Sequence, residues 1–174
     1  WLPGAMADFL RLSSVFSIGY VVIIIAYLAL FPAFAAWLSG YIRVPLALRA
    51  LLVWPALWSL MEFLRAEAVV DGLPWLSLGV TQIDGPLVGW APIGGEFGLS
   101  FASVFCSGLI WLLQKALWNR SWRTLSSYLI VSVAFGLVSF QLLDKQWTQL
   151  SNKTLNVALI QSSFSQSERG DPVF

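Results

Sequence analysis

The sequence predicts an α-helical integral membrane protein with about four transmembrane helices, a Gly/Pro-rich extracytoplasmic loop, and a short strand that opens a further domain. Three observations carry this. Hydrophobic residues make up 58% of the 174 positions and charged ones 11%, against roughly 25% charged in a soluble domain, and mean hydropathy is +0.76. The run from Arg11 to Arg43 holds no charge between its ends. The segment Gly72–Gly95 is apolar yet contains six glycines and three prolines, which no ordinary spanning helix tolerates.

A spanning helix needs about 20 predominantly apolar residues. The first is expected over 15–37 and the second over 44–64. In the second, Arg49 near one end can snorkel to the interface, and Pro55 in the middle predicts a kink. The third is expected over 97–114 and the fourth over 125–143, with residues 65–96 as the long loop. Irregular backbone at membrane depth must be buried in protein or line a cavity, because unpaired amides in hydrocarbon cost several kcal/mol each. That loop is therefore the first place to look for function.

Lys and Arg in short loops set orientation. Arg43 and Arg49 flank the first connection, and Lys115, Arg120 and Arg123 the third, with no acid in either. The long loop opposes one base, Arg65, to Glu67, Asp71, Asp84 and Glu96. The basic loops are thus expected in the cytoplasm and the Gly/Pro-rich loop outside, with both chain ends outside as well. Residues 144–154 read as a polar linker. Leu155-Asn-Val-Ala-Leu-Ile-Gln161 reads as a short buried strand. Trp1 in place of Met and a stop just past a single strand suggest an internal piece of a longer protein.

The composition also excludes chemistry. There is no histidine, and Cys106 is the one cysteine, so an internal disulfide, a His/Cys metal site and a Ser-His-Asp or Cys-His mechanism cannot be assembled from these residues. No metal or cofactor is expected. A net charge of +1 without long basic runs argues against nucleic acid. Ten tryptophans suit a protein with many residues at headgroup depth.

Individual residues have plain readings beside the sharper ones. Glu62, in the second helix, is expected to pair with Arg65 at the i,i+3 spacing, although an intramembrane carboxyl is functional by default. Trp75 and Trp90 suit an aromatic belt, while Gly72-Leu-Pro74-Trp75 could shape an entry for a lipid. Asp84-Gly85-Pro86 is turn chemistry. Cys106 between Ser103 and Ser107 reads as a packing residue, since a thiolate is disfavoured in apolar surroundings. The Gly98-x-x-x-Ala102 and Ser103-x-x-x-Ser107 spacings suit close helix packing. The sequons at Asn119 and Asn152 read as chance matches.

Pro55-Ala-Leu-Trp-Ser-Leu-Met-Glu-Phe-Leu-Arg65, Gly72-Leu-Pro-Trp75, Thr81-Gln-Ile-Asp-Gly-Pro-Leu87 and Ala91-Pro-Ile93 resemble, in order, the membrane region of bacterial apolipoprotein N-acyltransferases. Leu73 stands where that family has Phe, and Thr81 where it has Ser. Val157-Ala-Leu-Ile-Gln161 resembles the first strand of the nitrilase-like α/β domain that follows there, making 155–174 the start of a truncated domain. The resemblance implies a multi-pass enzyme of the bacterial inner membrane with its C-terminal domain in the periplasm. Such an enzyme moves an acyl chain from a membrane phospholipid to the N-terminal diacylglyceryl-cysteine of an apolipoprotein, through a Cys thioester. It places the family's Glu-Lys-Cys triad beyond Phe174, so neither Cys106 nor Glu168 takes a catalytic role. It also carries over Trp75, with Gly72 and Pro74 in support, as the substrate-side surface facing a lipid cavity. The rival reading is a transporter or channel with a re-entrant loop; a third is a non-catalytic anchor.

Overall fold

The computed structural model describes residues 14–68, 77–148 and 157–159. The chain divides into two units, residues 1–29 with 148–174, and residues 30–147. In the first unit the described residues are the opening turns of helix α1, residue 148, and 157–159, which have no regular structure. The rest of the strand expected at 155–161 lies outside the described residues, as do 149–154 of the linker. Among the described residues there is no strand. Apart from the opening turns of α1, everything below concerns the second unit.

Among the described residues four helices are long and apolar enough to cross a membrane, and they form an α-helical membrane protein. α1, Ser14–Tyr41, runs four residues past the expected end. Leu38 to Tyr41 remain compatible with helix, and Pro45 then disfavours helical geometry at Val44. α2 is a continuous span, Leu46–Glu67, that begins just after Pro45. Its regular part, Trp54–Phe63, is bracketed by π-type turns at Arg49–Val53 and Leu64–Ala68. The first of these is how the helix absorbs Pro55, which has no N–H and crowds the carbonyl four residues back. The turn widens, and the Trp54 N–H donates to the Arg49 carbonyl, five residues earlier.

α3, Ala91–Trp118, is interrupted at Gly95, whose φ of 61° and ψ of −158° are non-helical. Its uninterrupted part therefore starts close to the expected Phe97. α3 ends in a left-handed cap. Ser121 N–H donates to Ala116 O at 3.0 Å and Arg120 N–H to Leu117 O at 3.1 Å, with Arg120 at φ 50°, the pairing of a Schellman motif. α4, Trp122–Leu143, follows at once.

Packing is strongest where α2 meets α3. A Cβ on Gly108 would collide with the Ala50 carbonyl oxygen and lie 3.1 Å from its carbon, so the backbones cross in contact. Further along, Ser59 Oγ donates to Phe97 O at 3.0 Å, which makes the two helices antiparallel. The small-residue spacings did not mark this crossing. Gly98 has open space beside it, and the Ser103 and Ser107 hydroxyls bond back to Leu99 O and Ser103 O within α3. Two apolar patches complete the core: Ala35 with Leu57 and Met61, and Leu87 with Leu99 and Ala102. Much of the remaining apolar surface faces outward, including Ile110, Ile130, Leu137 and Phe140. In water such a surface would be an interaction site or a liability; in a bilayer it is solvated by lipid.

Gly108→Val therefore separates α2 from α3 and lowers stability by about 1–3 kcal/mol, read as a lower thermal midpoint in detergent. Gly98→Ala leaves the midpoint unchanged.

Candidate functional site

The described part of the Gly/Pro-rich loop is not free. It begins at Ser77 and forms short 3-10 turns at Gly79–Gln82 and Val88–Trp90. Its backbone is closed by Gly85 N–H to Gln82 O at 2.9 Å and Val88 N–H to Gly85 O at 3.2 Å, so Asp84-Gly85-Pro86 is a turn as expected. Thr81 Oγ1 donates to Leu78 O at 2.7 Å, a bond that a serine makes equally well.

What holds the loop is Glu62, 4% exposed. Trp58 lies one turn earlier on the same face of α2, and its Nε1–H donates to Glu62 Oε1 at 2.8 Å. The same oxygen accepts the Leu78 N–H at 2.9 Å. Ser77 Oγ donates to Oε2 at 3.4 Å. With that proton committed to Glu62, the Ser77–Ser100 contact at 3.5 Å has Ser100 as donor. The Ser100 oxygen in turn accepts the Gly79 N–H at 2.8 Å. Gly79, Ser100, Ser77 and Glu62 thus form one directional chain of hydrogen bonds, each polarising the next. Gly79 is required for it, because a Cβ there would collide with the Glu96 carbonyl oxygen.

This corrects the expected Glu62–Arg65 pair. No ion pair joins them among the described residues. Arg65 is 8% exposed, and its Nε is buried without a hydrogen-bond partner among the described residues. The i,i+3 spacing permits a pair on an isolated helix, but the loop supplies backbone and hydroxyl donors to Glu62.

The far end of the loop docks on α4. Trp90 Nε1–H donates to Ser139 Oγ at 2.9 Å, and its ring stacks on Phe135 at 5.3 Å with an 8° interplanar angle. Trp90 is therefore a packing anchor rather than a belt residue. Gly89 permits the approach, since a Cβ would lie 2.7 Å from the Leu142 carbonyl carbon. Beneath Pro86 and Leu87, a cavity of about 410 Å³ opens between Leu109 and Leu113 of α3 and Phe135 and Phe140 of α4. Cys106 is a free, half-buried thiol on α3, packed against the core patch of Leu87, Leu99 and Ala102.

Gly72, Pro74 and Trp75 lie outside the described residues. Sequence reading missed Ser77, Ser100, Trp58 and the close approaches at Gly79 and Gly89. The one available signal was the spacing of Trp58 and Glu62, four apart. Among the described residues no three His, Cys, Asp or Glu side chains come together as metal ligands. The arrangement is a rigid loop mount beside an apolar cavity.

Comparison with known proteins bears on this directly. Residues 1–109 match the family description "Apolipoprotein N-acyltransferase N-terminal domain". The chain is 32% identical over 180 residues to a protein named apolipoprotein N-acyltransferase from Nitrosomonas europaea, covering 99% of this chain and 33% of that protein. Proteins of the same name from Methylococcus capsulatus and Vibrio cholerae are 35% and 33% identical, covering 92% and 95% of this chain and 31% and 32% of those proteins. The chain spans about a third of the length of these relatives.

Hydrogen bonds to charged groups contribute about 1.5–3 kcal/mol each. Glu62→Ala should accordingly accelerate hydrogen exchange at the Leu78 and Gly79 amides by about tenfold or more. Glu62→Gln, which keeps one carbonyl acceptor, gives a smaller acceleration, and amides in the middle of α4 are unchanged in both.

Proposed function

Because the chain belongs to the apolipoprotein N-acyltransferase family, we propose that it is the membrane part of an enzyme that moves an acyl chain from a phospholipid to the N-terminal diacylglyceryl-cysteine of an apolipoprotein. In this reading the Gly/Pro-rich loop faces the periplasm and walls the space where both lipidated substrates meet the catalytic domain. Gly72, Pro74 and Trp75 contribute the substrate-side surface. The thioester-forming cysteine lies outside these 174 residues.

The observation that carries the proposal is the loop's combination of rigid mounting and outward apolar surface. Val80 and Ile83 are 49% and 60% exposed on a loop whose backbone is fixed to Glu62 and Ser100. A loop of soluble character would present polar side chains. One that guides acyl chains must present apolar ones and still hold its shape, since misplacement by about 1 Å costs orders of magnitude in rate. The cavity beneath Pro86 and Leu87 offers acyl-sized space at the same end of α3 and α4. Basic residues concentrated at the opposite connections support the outward orientation.

The test is acyl transfer by the intact enzyme from phospholipid to a diacylated lipopeptide. Trp75→Ala is expected to lower the rate at least about tenfold, the scale of a positioning defect, with normal membrane expression. Cys106→Ala is expected to retain full activity and thioester formation. Loss of the acyl-enzyme in Cys106→Ala, or a wild-type rate in Trp75→Ala, would overturn the assignment.

A further inference from the structure

The basic end of α2 and α3 holds a second site. Arg49 lies 13 residues before Glu62, about 20 Å along a helix, and so is remote from the loop mount. Its Nη2–H donates to Ile42 O at 2.8 Å, which pins the guanidinium to the α1–α2 connection. Its Nε is buried and, among the described residues, has no hydrogen-bond partner. Beside it a cavity of about 240 Å³ opens between Leu46, Arg49 and Trp54 on α2 and Val104, Ser107 and Trp111 on α3. The cavity runs alongside the point where the backbones touch at Ala50 and Gly108.

Charge and depth indicate what fits. Lys115 Nζ lies 5.1 Å from the centre of the Trp111 ring, so a second cation stands at the rim. Arg43, Arg120 and Arg123 flank the same connections, and residues 42–50 and 111–123 contain no acid. The charges on these two connections are therefore all positive, and among the described residues no acid forms an ion pair with the guanidinium. Trp37, Tyr41, Trp118 and Trp122 are all exposed at this end, as aromatic residues are at headgroup depth. An anion at that depth, above an apolar cleft, is the headgroup of a lipid whose tails follow the cleft. Basic pockets between helices on the cytoplasmic side are the usual setting for anionic phospholipids.

We propose that this cavity binds the phosphate of an anionic phospholipid, with Arg49 as the half-buried donor, Lys115 at the rim, and an acyl chain along Leu46, Trp54 and Val104. The site is separate from acyl transfer and would staple α2 to α3 alongside their crossing.

The experiment uses the intact membrane protein, delipidated in detergent and titrated with phosphatidylglycerol, phosphatidylcholine or inorganic phosphate, with bound lipid counted by native mass spectrometry. Wild type should hold one phosphatidylglycerol at least about tenfold more tightly than phosphatidylcholine, as two basic charges at a membrane surface provide. Inorganic phosphate should not displace it. Arg49→Gln with Lys115→Gln should lose that preference. Ser107→Phe, which fills the cleft from an exposed position and leaves both charges in place, should lose the bound lipid while the protein still unfolds cooperatively. A preference that survives both variants overturns the site, as does displacement by inorganic phosphate at equal occupancy. Acyl transfer that continues at the wild-type rate in Ser107→Phe separates failure here from failure of the acyltransferase reading.

Discussion

The loop end of this protein depends on one buried carboxyl group. Removing Glu62 from water costs several kcal/mol unless both oxygens find donors, and no cation within the described residues forms an ion pair with it. The donors come from Trp58 on its own helix and from Ser77 and Leu78 on the loop. The energetic need of one side chain therefore fixes the path of a segment that has no ladder or long helix to hold it. Ser100 extends the same network to α3 through Gly79, so two helices and the loop become one unit. A hydrophobic contact could not do this, because burial of apolar area is non-directional, whereas each oxygen here specifies a particular amide or hydroxyl.

The two ends of the α2–α3 pair solve opposite problems. At the loop end an acid is satisfied internally, and the surface left over is apolar. At the other end the two connections carry basic residues and no acid, and Arg49 keeps a buried Nε without a partner among the described residues. Between the ends, Gly108 lets the backbones meet against Ala50, which fixes the crossing, with a cleft running alongside it. The close crossing, the loop mount and the basic cleft are thus linked parts of one antiparallel pair.

The membrane helices were legible in the sequence because hydropathy over 20 residues is a strong signal and needs no tertiary information. Their ends were less so. α1 outran its expected end by four residues because nothing stops a helix before Pro45, and α3 gained the turn Ala91–Gly94 ahead of its break at Gly95. The site was legible only in outline. An apolar, glycine-rich loop stood out, but its mount did not, since Glu62 and Arg65 at i,i+3 suggest each other while the true partners lie 15 and 16 residues away. Trp90 could equally face lipid or protein until Ser139 and Phe135 are seen beside it. Gly98 and Gly108 are indistinguishable as letters, yet only Gly108 meets a neighbouring helix.

The central claim is that Glu62 and Ser100 act together through the loop they share, and a double-mutant cycle tests it most directly. Glu62→Gln and Ser100→Ala are made singly and together in the intact protein, and unfolding free energies are compared in mixed micelles. If one loop links them, the first loss already frees what the second would free, and the double variant is less destabilised than the sum by about 0.5 kcal/mol or more. Strict additivity would mean that the two residues stabilise separate parts of the fold, and the shared mount would be wrong.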